Sequence, residues 1–485
     1  MNRFIITIIL SLQTLMISAG IATFEEMTKQ LNEKSLPIIN LVVEIDNVTK
    51  AYYTNATIEI ITPPTINNKE NVSTTYNCKV KYRGTSSLIY DKKSFKIKLI
   101  DEKGKSLDAK ILGIRKDDSW ILDAMAIDRI RMRNRVCFDI WNEMSSTPYT
   151  TDYDKRNGTK GVFVELFING KYHGLYCMSD KINRKLLGVK KVDDDDNDSP
   201  VIKGVIYKGD QWSNATRLNG YDEESMYEAS WNSWELNYPE DYPCPEAYMP
   251  LKNFIDYCVN TSDDDFKKGI EDNFYLQNFA DYQVFFLSQG LGDNHIKNTY
   301  LSIVNINKGH RFMITPWDLD CSLGGNYDGS YKSSVVTMRQ ILSVGLYRRL
   351  WNLDINGYKS LVATRWQQLY KTTLSEDAFN KRIDAYANDF IESGAWEREF
   401  ITWNEKPVTL KQDLTDEIRY VKDWYHRNCE NLANNIYKDI TSETKAITIP
   451  TPTGHQHTIY NMCGQKVGTS YKGIIIKDGH KLIVR

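Results

Sequence analysis

The sequence has little that would tie it to nucleic acid, zinc or the interior of a membrane. Charge of one sign is not in excess. Lys and Arg number 61 against 63 Asp and Glu in 485 residues, for a formal net charge of -2. That balance gives no footprint for a nucleic-acid partner, although a local basic groove is compatible with it. The eight cysteines (Cys78, Cys137, Cys177, Cys244, Cys258, Cys321, Cys429 and Cys463) are widely and irregularly spaced, with no Cys-x-x-Cys pair. A zinc site is not expected, and most of them read as small buried hydrophobes. Some could pair in an oxidising compartment. Beyond the N-terminus no run is long and apolar enough for a bilayer span, so no transmembrane anchor is expected. No repeat of solenoid period is visible. With 41% hydrophobic and 12% aromatic residues, the chain is globular rather than disordered, and too long for one small core.

The one long apolar run stands at the start. Asn2-Arg3 supplies positive charge, Phe4 to Ile17 is mostly apolar, and Ser18-Ala19-Gly20-Ile21-Ala22 supplies small residues. That order predicts a secretory signal peptide over 1–22, hence an exported protein, extracellular, at the cell surface or in a periplasm. No cysteine follows the small residues, which argues against a lipid anchor.

Along the rest of the chain, strand signals dominate early and helical spacing later. Leu36 to Ile61, Cys78 to Tyr82 and Ser94 to Ile100 are rich in Val, Ile, Thr and Tyr. Ala126 to Met144 has apolar residues at helical spacing and reads as a helix dense in arginine. Val162 to Ile168 and Lys171 to Cys177 flank Asn169-Gly170, the strongest hairpin signal present. Residues 189–200 form an acidic loop, which could hold calcium but reads first as a solvated loop. Leu251 to Leu291 and 337–435 read as helices, and the last forty or so residues as short strands. The expectation is an α+β protein in two lobes: a strand-rich N-terminal lobe over 36–205 and a helix-rich C-terminal lobe over 206–440. A β module follows over 446–485, after the linker-like run Ile449-Pro450-Thr451-Pro452-Thr453-Gly454.

Three constellations carry chemistry. In the first, Gly292-Asp293-Asn294-His295-Ile296-Lys297-Asn298 precedes a strand, a polar turn, a second strand and Pro316-Trp317-Asp318-Leu319-Asp320. A hairpin would bring Asp318 or Asp320 back beside Asp293 and Asn298. Carboxylates and an amide oxygen converging there are hard ligands suited to magnesium or manganese. Protein kinases place a loop Asp, an Asn five residues later and a metal-binding Asp in this order. The plainer account is capping and turn residues, since Asp and Asn favour loops and each spacing alone is common. In the second, the turn Arg83-Gly84-Thr85-Ser86-Ser87 offers backbone N–H groups and hydroxyls to a phosphate, and Lys92-Lys93 opens the next strand. An ordinary basic hairpin explains it equally. The third is the arginine-dense stretch Asp128 to Arg135, with a solvated helix face as its simpler explanation.

Taken together these motifs resemble the spore-coat CotH family. Arg83-Gly84-Thr85-Ser86-Ser87 with Lys92 to Leu99 is similar to its RGNSS…KKSY element. Trp120-Ile121-Leu122 with Met132-Arg133-Asn134 is similar to its W-x-L…RN helix. Phe163 to Asp180 is similar to its ING…GLY hairpin, and Gly292 to Tyr300 with Pro316 to Asp320 to its D…HNYYLY…PWDxD core. The resemblance spans residues 36–350 and implies an atypical protein-kinase-like fold. It implies transfer of phosphate from ATP to Ser or Thr of a surface or secreted protein, with Mg2+ or Mn2+. Asp293 would be the catalytic-loop aspartate, Asn298 a metal ligand and Asp318 the metal-binding aspartate, with Asp320 as its rival. Lys93 would reach a nucleotide phosphate, with Lys92 as its rival, and Arg83, Ser86 and Ser87 would join that site. Asn134 matches the family motif without a defined role. Thr85, Asp180 and Thr299 depart from the usual Asn, Glu and Tyr. The tail, Thr458 to Val467 and Lys472 to Lys481, is similar to the C-terminal sorting domain of proteins handled by type IX secretion, which implies a secretion machinery as a partner. A non-catalytic surface or adhesion protein on the same scaffold is the competing reading, because fold does not settle function. A carbohydrate-associated protein is a third, resting on the many Trp and Tyr residues.

Overall fold

The computed structural model describes residues 21–149, 156–193, 201–309, 311–438 and 440, and the backbone of four short strands between 459 and 484. Residues 1–20 of the signal-like run, positions 194–200 of the acidic loop and the proline run 449–454 lie outside the described residues. By its internal contacts the chain divides into two units, Met1–Thr441 and Ser442–Arg485. Its described structure is mixed α/β, 36% helix and 22% strand.

The first unit opens with a short helix, α1 (Phe24–Gln30), started by a capping box between Thr23 and Glu26. The next strands are β1 (Ile38–Val42), β2 (Thr54–Thr62), β3 (Val72–Arg83) and β4 (Ser94–Ile100). A two-stranded ribbon of β5 (Ala109–Lys110) and β6 (Lys116–Asp117) precedes β7 (Ser119–Asp123), then β8 (Gly161–Ile168) and β9 (Lys171–Asp180). Seven of these close a barrel in the order β1-β2-β3-β4-β7-β9-β8. Closure leaves no open edge. Alternation decides what faces inward: Phe95, Ile97 and Leu99 of β4 are buried while Ser94, Lys96 and Lys98 are less so. They pack with Val80, Trp120, Leu122 and Tyr176. Full burial of each such side chain stabilises by about 1.5–3 kcal/mol. Asn169 and Gly170 both have positive φ, 51° and 78°, as the tight turn between β8 and β9 requires.

The helix expected from Ala126 begins later. The observed element, α2, is Arg133–Met144. Asp128 is the cause. Its carboxylate accepts the N–H of Ile130 at 3.1 Å and of Arg133 at 2.7 Å, which ties 128–132 into a turn. Arg131 there has φ 55°. The arginines of this stretch are not a solvated face: Arg131, Arg133 and Arg135 are buried and each has a carboxylate partner.

Three further strands, β10 (Val205–Gly209), β11 (Ser230–Trp231) and β12 (Trp234–Tyr238), precede the helices α3 (Pro245–Asn260), α4 (Asp263–Asn273) and α5 (Leu276–Gln289). The hairpin β13 (Thr299–Ile303) and β14 (Met313–Pro316) completes an antiparallel sheet in the order β11-β12-β10-β13-β14. α5 is buried along almost its whole length and ends at Gly290 in the left-handed conformation, φ 65°. A Cβ at Gly290 would meet the Trp424 ring at 2.2 Å, so only glycine fits this stop. The remaining helices are α6 (Gly345–Asn352), α7 (Tyr358–Tyr370), α8 (Glu376–Glu392), α9 (Ala395–Trp403) and α10 (Thr415–Asn431). They share one large apolar core with α2 and the second sheet.

The second unit carries β15 (Ile459–Asn461), β16 (Lys466–Val467), β17 (Gly473–Lys477) and β18 (His480–Val484), an antiparallel sheet in the order β16-β15-β17-β18. Among the described residues no helix is long and apolar enough to cross a membrane.

Candidate active site

The β13–β14 hairpin brings the first constellation together. Thr299, the first residue of β13, pairs with Pro316, the last of β14. The loop before one strand and the turn after the other therefore meet at one end. Trp317 donates its N–H to the carbonyl of Asn298 at 2.9 Å. The buried Asn294 side chain donates to the carbonyls of Asn298 (3.1 Å) and Trp317 (2.6 Å). Asn298 and Asp318 both adopt left-handed backbone, φ 57° and 55°. Such conformations cost on the order of 1–3 kcal/mol each and persist only where neighbours impose them. Here Asn294 and the ladder of β13 with β14 impose them. Asn298 also donates its N–H to Gly209 at the end of β10, at 2.9 Å.

Asp293 begins one helical turn, accepting the N–H groups of Ile296 and Lys297 at its carbonyl. Its carboxylate is 24% exposed and pairs with Lys297 at 3.1 Å. Burial raises the pKa of Asp318, which Arg83 opposes and Asp123 reinforces. Asp320 is raised further by burial, then by Asp318, Asp123 and Asp128. Among the described residues the Asp318 carboxylate has no side-chain hydrogen-bond partner. Arg83, with Lys208 and Lys297 behind it, only partly offsets the effect of burial and of the neighbouring carboxylates. With the amide of Asn298 the two aspartates are an all-oxygen donor set, which fits Mg2+ or Mn2+.

Across from them stands the barrel. Arg83, the last residue of β3, lies over the Trp317 ring at 5.4 Å. Arg83, Asp123, Asn134, Trp317 and Asp318 line one crevice of about 20 Å3, room for a water or an ion but not for a nucleoside. Asn134 on α2 donates to Asp123 at 2.8 Å and accepts the N–H of Leu319 at 3.0 Å. It ties strand β7 to the turn carrying both aspartates.

The structure brings the loop carrying Asp293 and Asn298 and the turn carrying Asp318 and Asp320 to one end of the hairpin, with Arg83 beside Trp317; among the described residues the three carboxylates whose ligand atoms lie within 4.8 Å of one another are those of Asp108, Asp117 and Asp118, not these. The other expected phosphate contacts lie further out. Ser86 and Ser87 sit in an exposed 3-10 turn, Ser86–Ile89, and neither hydroxyl bonds to the acids. The turn is held by Gly84, whose φ is 108° and whose Cβ would meet the Ser87 hydroxyl at 2.0 Å. Tyr90 just beyond it is close enough to Asp320 that the carboxylate adds to the effect of burial in raising the phenol. Lys93 donates its ammonium to the Leu88 carbonyl at 2.5 Å and so tethers this turn. Lys92 is fully buried, donating to Glu399 at 2.5 Å and to the Leu175 carbonyl at 2.7 Å. Arg131 reaches the same Glu399 oxygen at 2.7 Å, and the Leu175 N–H its other oxygen at 2.7 Å.

Sequence reasoning missed Asp123 and Glu399, and marked Arg131 only as one of the arginines between Asp128 and Arg135. Glu399 lies on α9, 307 positions from Lys92, and no local pattern marks it. Asn134 was marked only by the family motif.

An oxygen-rich site of this order, faced by an arginine, is kinase-like in its make-up. A family model described as CotH kinase protein matches residues 80–432, and the chain belongs to that family. No curated protein matches the chain.

Proposed function

We propose that this protein is an exported, atypical protein kinase that transfers the terminal phosphate of ATP to Ser or Thr of a surface or secreted protein. In this reading residues 36–205 form the N-terminal lobe of a kinase-like fold and 206–440 the C-terminal lobe. Residues 446–485 would be a sorting domain recognised by a secretion machinery, and 1–22 a signal peptide. The observation that carries the reading is that the loop bearing Asp293 and Asn298 and the turn bearing Asp318 and Asp320 meet at one end of the β13–β14 hairpin, with Arg83 over Trp317.

Asp293, reachable from solvent, would orient the acceptor hydroxyl and take its proton. Lys297 beside it holds the carboxylate in one direction. Asn298 and Asp318, with Asp320 in support, would hold Mg2+ or Mn2+, which when bound supplies charge neutralisation at the phosphates. Arg83 would contact a phosphate, as would the N–H groups and hydroxyls of Ser86 and Ser87 after closure of their turn. Lys93 would serve the nucleotide if its ammonium left Leu88. Lys92 would act differently, by fixing β9 and α9 through Glu399 beneath the site. The test is incubation of the full chain with labelled ATP, metal and a serine-rich protein acceptor, with and without Asp318→Ala. Transfer that depends on metal and on Asp318 supports the kinase. Absence of metal-dependent ATP binding favours the non-catalytic surface protein.

A further inference from the structure

Beside Asp293 the surface carries an arrangement that the chemistry above does not use. Trp212 is 55% exposed, an unusual state for so large a ring. It is not loose. Its segment follows β10, and Ser213 and Thr216 bond each other reciprocally, the N–H of each to the hydroxyl of the other, at 3.0 and 3.1 Å. Trp212 packs edge-on against His295 with ring centroids 6.1 Å apart, and Phe286 closes the other side of that histidine at 5.7 Å. His295 is two positions from Asp293. Arg217 lies over the Trp212 ring at 6.0 Å.

The charge set directly against this ring is the Arg217 cation, while Asp293 is the nearest carboxylate to its neighbour His295. Among the described residues the Arg217 guanidinium has no carboxylate partner, and its Nε is buried without a hydrogen bond. Lys332 likewise has no carboxylate partner. Its N–H is held by the Gly324 carbonyl at 2.7 Å, a few residues after the turn bearing Asp318 and Asp320. Both cations, after burial itself, help keep His295 low, at a pKa of about 4, so the ring stays neutral at ordinary pH. Of the other charges nearby, Lys297 is paired with Asp293, and Lys208 with both Asp210 and Glu235, which leaves one carboxylate in excess there.

The geometry points to an acceptor site selective for acidic protein segments. Trp212, Arg217 and Lys332 receive a stretch of the substrate whose Asp or Glu side chains flank the accepting hydroxyl, and Trp212 covers its backbone. This rests on the reading of Asp293 as the residue that orients the acceptor. Arg217 lies on the Asp293 side, through Trp212 and His295; Lys332 acts on both His295 and Cys321, which follows Asp320, while Arg83 lies over Trp317. Charge complementarity of this kind sets partner choice more than raw affinity.

The experiment uses the full chain and fluorescein-labelled nine-residue peptides with one central serine, flanked by Glu or by Lys. Binding is read by anisotropy without nucleotide, and transfer separately with ATP and Mg2+. The Glu peptide is expected to bind about tenfold more tightly than the Lys peptide, as two exposed charge pairs together allow. Arg217→Gln with Lys332→Glu should erase or invert that ratio, and Trp212→Ala should weaken the Glu peptide while leaving the KM for ATP unchanged. Lys332→Glu alone, at a partly exposed position, should still shrink the ratio where the double variant folds poorly. Equal binding of the two peptides overturns the inference even if transfer proceeds, and the kinase reading then stands. A rise in the KM for ATP in these variants, with the peptide preference intact, also overturns it and assigns the cations to the nucleotide. Selective binding without any transfer retains the surface and contradicts the kinase reading.

Discussion

The side chain of Asn134 holds the backbone of Leu319, its oxygen accepting the Leu319 N–H at 3.0 Å while its nitrogen donates to Asp123 at 2.8 Å. Leu319 stands between Asp318 and Asp320. A residue on α2 therefore fixes the backbone between the two aspartates, of which Asp318 lines the crevice.

Asn134→Ala removes both hydrogen bonds and leaves the Leu319 N–H and an Asp123 oxygen without their partner. The expected cost is about 1–3 kcal/mol of stability. Turnover should fall by more than the loss of folded protein accounts for, on the order of tenfold, because the aspartates lose their common support. Melting temperature and turnover on the same preparation check this. Turnover that simply tracks the folded fraction contradicts it.

Glu399 gives a pH signature. Burial would raise its pKa, but Lys92 and Arg131 outweigh burial and hold it below the ordinary value of 4.5. A depressed folded-state pKa means that this stabilisation is complete above the unfolded value and is lost as pH falls through the folded one. Wild type should lose stability on acidification below about pH 4.5, and Glu399→Gln should lack that part of the acid slope. At neutral pH the variant should be less stable by about 3–5 kcal/mol, since Lys92 and Arg131 are left buried without their counter-ion. Denaturant melts at pH 7 and at pH 4 measure both effects.

How far the sequence revealed these arrangements differs by residue. Asn169-Gly170 and the alternation in Ser94 to Ile100 are local signals, and the hairpin and barrel strand appear where they point. Asp293, Asn298, Asp318 and Asp320 stood out as candidates because one hairpin of adjacent residues carries the loop and the turn that bear them to the same end. The start of α2 was not visible. Periodicity from Ala126 suited a helix, and only the Asp128 carboxylate, bonding 130 and 133, shows why the turn wins. Lys92 and Lys93 look alike in sequence, yet one is buried against Glu399 and the other bonds a loop carbonyl. That difference comes from α9, a partner far away in the chain. Asp123, Trp212 and Arg217 escaped notice for the same reason: each matters through a neighbour that only folding supplies.

The tail offers a separate test. The first unit ends at Thr441 by its contacts, and residues 446–485 belong wholly to the second. A chain ending at Lys445 should keep metal-dependent nucleotide binding within about twofold of the full chain and the melting temperature of the first unit. Calorimetry on both chains is the measurement. Loss of nucleotide binding in a truncated chain that stays folded would show that the tail takes part in the site.

The central claim concerns the division of labour between Asp318 and Asp293, and one titration series tests it most directly: ATP binding with and without Mg2+, together with turnover, in wild type, Asp318→Ala and Asp293→Ala. If Asp318 holds the metal, its loss abolishes transfer and metal-dependent binding together. If Asp293 orients the acceptor, its loss leaves binding intact while turnover falls by a factor on the order of a hundred or more. Wild-type ATP affinity should vanish in excess chelator. Normal turnover in Asp318→Ala with loss in Asp320→Ala would reverse those two roles and keep the site. Normal turnover in all three variants, or equal ATP affinity in chelator, would contradict a kinase centre at this hairpin.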